Sequence, residues 1–126
     1  MRASRLVLAV ALVASGACGT GDAEARQAAA AITGGDPARG RMLMRYYGCA
    51  SCHTIPGVPG ADALVGPPLA GIASRSYIGG VLTNSPANMM RWLRDPKEVD
   101  SLTAMPNVGV TEPDARHLAA YLYTLR

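Results

Sequence analysis

The sequence contains no phenylalanine, and its aromatic side chains amount to one tryptophan and five tyrosines among 126 residues. A chain so short of large apolar rings builds a thin core of its own. Small domains in that position commonly recruit a metal, a disulfide or a cofactor. Length is also lacking: 126 residues and 13.0 kDa make one small domain and exclude a large enzyme with a separate substrate domain. Internal repeats and long blocks of one charge are absent from the sequence. The apolar run Leu6–Ala14 has nine residues, too few to span a bilayer.

That run identifies the N-terminus instead. Arg2 and Arg5 precede it and Ser15, Gly16, Ala17 and Cys18 follow, so residues 1–18 read as an export signal. Two exits fit. Ala23-Glu-Ala25 has the small-x-small pattern of ordinary cleavage after Ala25, whereas Ala14-Ser-Gly-Ala-Cys18 resembles a lipobox with Ser15 where leucine is usual, which makes Cys18 a candidate lipid anchor. The expected location is therefore exported and periplasmic, with membrane contact through Cys18 if it is lipidated. Beyond Cys18, 10 basic residues face 9 acidic ones, so the formal charge of +3 on the whole chain drops to +1. A nucleic-acid partner, which requires clustered positive charge on the folded domain, is not expected.

Residues 19–35 are rich in glycine and alanine and read as a flexible linker of roughly 20–25 Å, with the Ala28–Ala31 run as a transiently helical alternative. Residues 36–126 read as one globular unit with three main helices. Asp36-Pro37 offers an N-cap followed by proline at the first helical position, and that helix runs to Tyr47 and stops at Gly48. A second begins at Asn84-Ser85-Pro86, carries Met89, Met90, Trp92 and Leu93, and ends before Asp95-Pro96. A third starts at Thr111 and continues to Leu125, with Ala115, Leu118, Ala119, Leu122 and Leu125 as its apolar stripe. Between them lie long Gly/Pro-rich loops and no convincing strand, so the fold class is all-α, with loops that need something central to wrap.

The chemistry sits in Cys49-Ala-Ser-Cys52-His53. Two thiols three positions apart with histidine next suit covalent haem attachment: the cysteines form thioethers and the imidazole becomes an axial iron ligand. A dithiol redox site would need an α/β setting that is missing. A zinc site would need ligands beyond Cys18 and His117, and a disulfide closing so small a loop would stabilise little. For the sixth iron position the candidates are Met42, Met44, Met89, Met90, Met105 and His117. The first four fall on expected helices and read as core side chains, and His117 reads as solvent-facing. Met105 lies in a non-helical stretch before Pro106 and is the expected ligand.

On these residues the chain resembles a class I bacterial c-type cytochrome, monohaem with histidine and methionine ligands, over essentially all of 36–126. The resemblance rests on Gly40-Arg-Met-Leu-Met44, Gly48-Cys-Ala-Ser-Cys-His53, Gly66-Pro-Pro-Leu69, Trp92-Leu93 and Thr103-Ala-Met105-Pro106. It implies a small cytochrome c fold around one covalently bound haem c. It also implies close crossing of the first and last helices at Gly40, against Leu118 and Tyr121, and a Pro67 carbonyl that accepts the His53 N–H. Leu69, Trp92 and Thr103 become haem-pocket residues, Thr103 as a propionate partner. Met44 stands where the family has an aromatic. The stretch from Leu69 to Trp92 is shorter than in mitochondrial relatives, with Arg75 and Tyr77 as candidates to cover the exposed edge.

The implied function is one-electron transfer between redox proteins such as a membrane oxidase, reductase or dehydrogenase, as a carrier rather than an enzyme. A haem-based gas sensor or peroxidase-like enzyme with an open sixth position is the alternative, separable by spin state and CO binding.

Overall fold

The structure, a computed structural model, describes residues 19–126, so residues 1–18, read above as an export signal and including Cys18, lie outside the described residues. Among the described residues, five α-helices account for most of the regular structure: α1 (Thr20–Thr33), α2 (Pro37–Tyr46), α3 (Pro86–Arg94), α4 (Pro96–Val99) and α5 (Glu112–Leu122). Short 3-10 turns occupy Cys49–Ser51 and Ile72–Ser74. The architecture is all-α with long irregular connections, as the helical pattern and turn residues imply.

Each of the three expected helices begins on its cap. The Asp36 carboxylate accepts the Ala38 N–H at 2.8 Å, the Ser85 hydroxyl accepts the Asn88 N–H at 3.2 Å, and the Thr111 hydroxyl accepts the Asp114 N–H at 3.3 Å. Such bonds satisfy amide groups that a helix start otherwise leaves without a partner. Proline follows within two positions of each cap, where its missing N–H costs nothing. α5 ends at Leu122 rather than Leu125; the last residues form a turn in which the Thr124 and Leu125 amides donate to Tyr121 and Leu122. α3 stops before Pro96 as expected, and the chain re-enters a helix at once because the Asp95 side chain caps α4 through Glu98.

α2 and α5 form the main helix contact. Gly40 makes it possible: a methyl group there would lie 1.9 Å from the His117 carbonyl oxygen and 2.9 Å from Tyr121 Cβ. Ala115, Leu118, Ala119 and Ala120 on α5 are wholly buried, and Met44 from α2, at 1% exposure, shares a core cluster with Ala115, Leu118 and Ala119. Tyr121 also reaches out of this crossing, its hydroxyl donating to the Pro56 carbonyl. A ladder of small residues on α5 lets the helices approach closely, which offsets the shortage of bulky aromatics.

Two expectations fail here. Residues 19–35 are not a flexible linker: α1 docks on α5 and buries Ala29 and Thr33 at 2% and 4% exposure. Alanine is the best helix former, and Ala25, Ala29 and Thr33 fall on one face at four-residue spacing, so the same small residues that read as linker make a packing stripe. The second failure is the absence of strands. Tyr77–Ile78 (β1) pairs antiparallel with Leu82–Thr83 (β2), in the register Tyr77 opposite Thr83 and Ile78 opposite Leu82. This minimal hairpin drives Ile78 into the core at 2% exposure. Two-residue strands carry no readable alternation.

Among the described residues, no helix is long and apolar enough to cross a membrane.

Candidate functional site

Below the α2–α5 crossing lies a cavity of about 400 Å³. Its walls include Met44, Leu69, Ile72, Ile78, Met89 and Trp92, and Cys49, Cys52, His53 and Met105 all face it. The two thiols and the imidazole arrive together because α2 gives way to a tight turn. Ser51 N–H donates to Gly48 at 3.0 Å, and the Cys52 and His53 amides both donate to the Cys49 carbonyl, at 3.2 and 3.1 Å. This 3-10 winding sets both cysteines and the histidine on one wall. The thiols are free and half-buried. Burial pushes the Cys49 thiol up from its ordinary value, the opposite of the depressed pKa on which a dithiol redox site depends.

The His53 ring is fixed on two sides. Its Nδ1 lies 2.7 Å from the Pro67 carbonyl oxygen. A carbonyl can only accept, so Nδ1 carries the proton and Nε2 presents its lone pair. Gly66 lies against the ring: a Cβ there would come within 2.5 Å of Cε1 and 2.8 Å of Nδ1. Gly66 N–H in turn donates to the Cys52 carbonyl at 2.7 Å, and Leu69 N–H to the Thr54 carbonyl at 2.9 Å, which ties the 66–69 loop to the cysteine turn.

Met105 reaches the cavity from an irregular stretch stapled at several points. Its amide donates to the Thr103 hydroxyl at 3.3 Å, and Lys97 Nζ donates to the Thr103 carbonyl at 2.9 Å. The Leu102 amide bonds the Asp100 carboxylate at 3.0 Å, and Gly109 bonds the Asn107 side chain at 2.9 Å. Local side-chain bonds of this kind hold a loop without a helix or strand. Thr103 lines the cavity, as do Pro67, Leu69 and Trp92.

The remaining candidates sort as follows. Met44 and Met89 are core residues that also wall the cavity, and Met90 is half-buried outside it. Met42, expected in the core, is 67% exposed because it sits on the outer face of α2. His117 is half-buried rather than solvent-facing, and its Nδ1 accepts the Asp36 N–H at 2.8 Å at the start of α2. Arg75 lines the cavity but spends its guanidinium on the Pro68 and Ala70 carbonyls, and Tyr77 is exposed away from the wall. Tyr47 is a wall residue that the sequence reading did not single out. It lies three positions after Met44, the spacing that keeps it on the same face, and its hydroxyl donates to Asp114 at 2.7 Å.

The donor set fits haem. Two thiols suit thioether attachment, an imidazole with a free Nε2 and a thioether sulfur suit the two axial positions of haem iron, and the apolar walls suit a macrocycle.

Comparison with known proteins agrees. The family model described as "Cytochrome c" matches residues 37–126. The chain is also 32% identical over 89 residues to a protein named cytochrome c oxidase subunit 2 from Alkalihalophilus pseudofirmus, covering 70% of this chain and 25% of that protein. It therefore spans about a quarter of the length of that curated relative. No solved structure matches it.

Proposed function

Because this chain belongs to the cytochrome c family and carries covalently bound haem c, we propose that it passes single electrons between redox proteins outside the cytoplasm. Cys49 and Cys52 would hold the haem as thioethers, and His53 and Met105 would ligate its iron. The observation that carries this reading is the convergence of all four side chains on one cavity.

When bound, the haem supplies an iron that alternates between ferrous and ferric states. The chain's own residues supply the rest. Pro67 holds the Nδ1 proton of His53, so the ring keeps its orientation and its donor strength as the iron charge changes. Met105 contributes a soft sulfur that favours the ferrous state and raises the potential. Met44, Met89, Ile78 and Trp92 keep water from the site, which limits reorganisation on electron transfer. Leu69 and Trp92, on the cavity wall, would pack on the cofactor, and Thr103 would bond a propionate. With His53 and Met105 both ligating, the iron would be closed to substrate, and the protein would act as a carrier or electron-transfer subunit.

The partners are redox proteins of a respiratory chain: a membrane oxidase, reductase or dehydrogenase. Similarity to an oxidase subunit supports an oxidase first. The location is the periplasm, by way of the export signal 1–18, with either cleavage after Ala25 or lipidation of Cys18 as its outcome.

Optical spectra of the purified holoprotein, ferric and ferrous, with and without CO, test this reading. Low-spin iron in both states and little CO binding are expected. High-spin iron that binds CO readily would instead indicate a gas sensor or a peroxidase-like enzyme.

A further inference from the structure

Hydrogen bonds, joined by short stretches of backbone, link the C-terminal end of α5 to the loop that bonds the His53 ring. The Tyr123 hydroxyl donates to Asn84 Oδ1 at 2.7 Å. Asn84 Nδ2 donates twice, to the Ile72 and Arg75 carbonyls, both at 2.8 Å, and its backbone N–H donates to Ser76 at 2.9 Å. The Arg75 guanidinium then donates through Nη2 to the Pro68 carbonyl at 2.5 Å and the Ala70 carbonyl at 3.0 Å. Those carbonyls flank Leu69 in the loop whose Pro67 carbonyl lies 2.7 Å from His53 Nδ1.

We propose that Asn84 and Arg75 are positioning residues: anchored by Tyr123, they lock the 67–70 loop and thereby fix the orientation of His53. The proposal rests on the reading of His53 as an iron ligand.

Asn84 is suited to this task because both amide protons and its carbonyl oxygen are engaged, which leaves the side chain one geometry. It is half-buried just before the Ser85 cap, so α3 sets its backbone. Arg75 is suited because one planar guanidinium nitrogen bridges two carbonyls two residues apart, which a lysine ammonium reproduces only in part. The loop needs such a lock. Pro67 and Pro68 have no N–H, so neither amide can tie it down, and both are exposed. Leu69 N–H holds one edge, and Arg75 holds the carbonyls on either side of it. Burial pushes the Tyr123 phenol up to about 12, so it remains an O–H donor to Asn84 across the pH range in which the protein works.

The test uses the ferric holoprotein and proton NMR of the hyperfine-shifted His53 Nδ1–H, together with the reduction potential. Asn84→Ala should accelerate solvent exchange of that proton and shift the potential. Arg75→Gln should do the same, and Arg75→Lys should restore part of the protection. Tyr123→Phe, a milder change that keeps the fold, should give a smaller acceleration in the same direction. If these variants melt earlier but keep wild-type exchange and potential, the residues are structural only and the proposal falls. Absence of a hyperfine-shifted His53 signal in the wild type would overturn the ligand reading itself.

Discussion

Gly66 and His53 touch so closely that no side chain fits between them: a Cβ on Gly66 would lie 2.5 Å from His53 Cε1. The glycine is one wall of the slot that sets the imidazole plane, and the Pro67 carbonyl at 2.7 Å sets its rotation. Gly66→Ala should therefore displace the ring and lower stability by about 2 kcal/mol, as overpacking of a tight site does. Thermal melts and low-temperature EPR of the ferric holoprotein check it. Wild-type ligand-field parameters in the variant would show that the contact relaxes without moving the ring.

The α2–α5 crossing admits nothing larger than hydrogen at Gly40, where the obstacle is backbone, the His117 carbonyl, rather than a movable side chain. Gly40→Ala should cost about 3 kcal/mol or more, against a gain of under about 1 kcal/mol from helix propensity. Urea unfolding of the holoprotein measures the balance.

Acid should loosen the same pair of helices. The Tyr47 hydroxyl bonded to the Asp114 carboxylate holds it below its ordinary value of 3.8, with the Thr111 and Arg39 side chains adding to the effect. A carboxyl whose folded pKa is depressed stabilises the fold above its unfolded pKa, and that contribution disappears as pH falls through the folded value. Stability should thus decline below about pH 4, and Tyr47→Phe should flatten that decline. Unfolding midpoints measured from pH 2 to 6 in both proteins decide it.

Much of this architecture is legible from local chemistry. Asp36-Pro37, Ser85-Pro86 and Thr111 announce helix starts because a cap acts on amides two or three residues away, and Cys49, Cys52 and His53, close in sequence, reach one cavity wall. Long-range partnerships are harder. The face that α1 presents becomes a packing stripe only because α5 packs against it, and Ala25, Ala29 and Thr33 look like linker without that surface. Asn84 reads as the residue before a cap, while its value lies in carbonyls of Ile72 and Arg75 and a hydroxyl from Tyr123, 39 positions away. Met42 shows the converse error: a methionine on a helix is not a core residue unless its face is.

Docking of α1 has its own consequence. Ala29 is 2% exposed against α5, so Ala29→Glu would force a carboxylate into a contact with no room or partner for it. The expected result is loss of amide-exchange protection over residues 25–33 and a loss of about 2 kcal/mol in stability, while α2, α3 and α5 keep their protection. Unchanged exchange in α1 would mean that the helix holds without this contact.

The central claim is that His53 and Met105 together hold one haem iron. Potentiometric titration of Met105→Ala beside the wild type tests it most directly. Cys49 and Cys52 should keep the haem attached, while loss of the sulfur ligand lowers the potential and abolishes the low-spin spectrum. A variant that retains both the wild-type potential and the low-spin spectrum would contradict the account and assign the sixth position to another side chain.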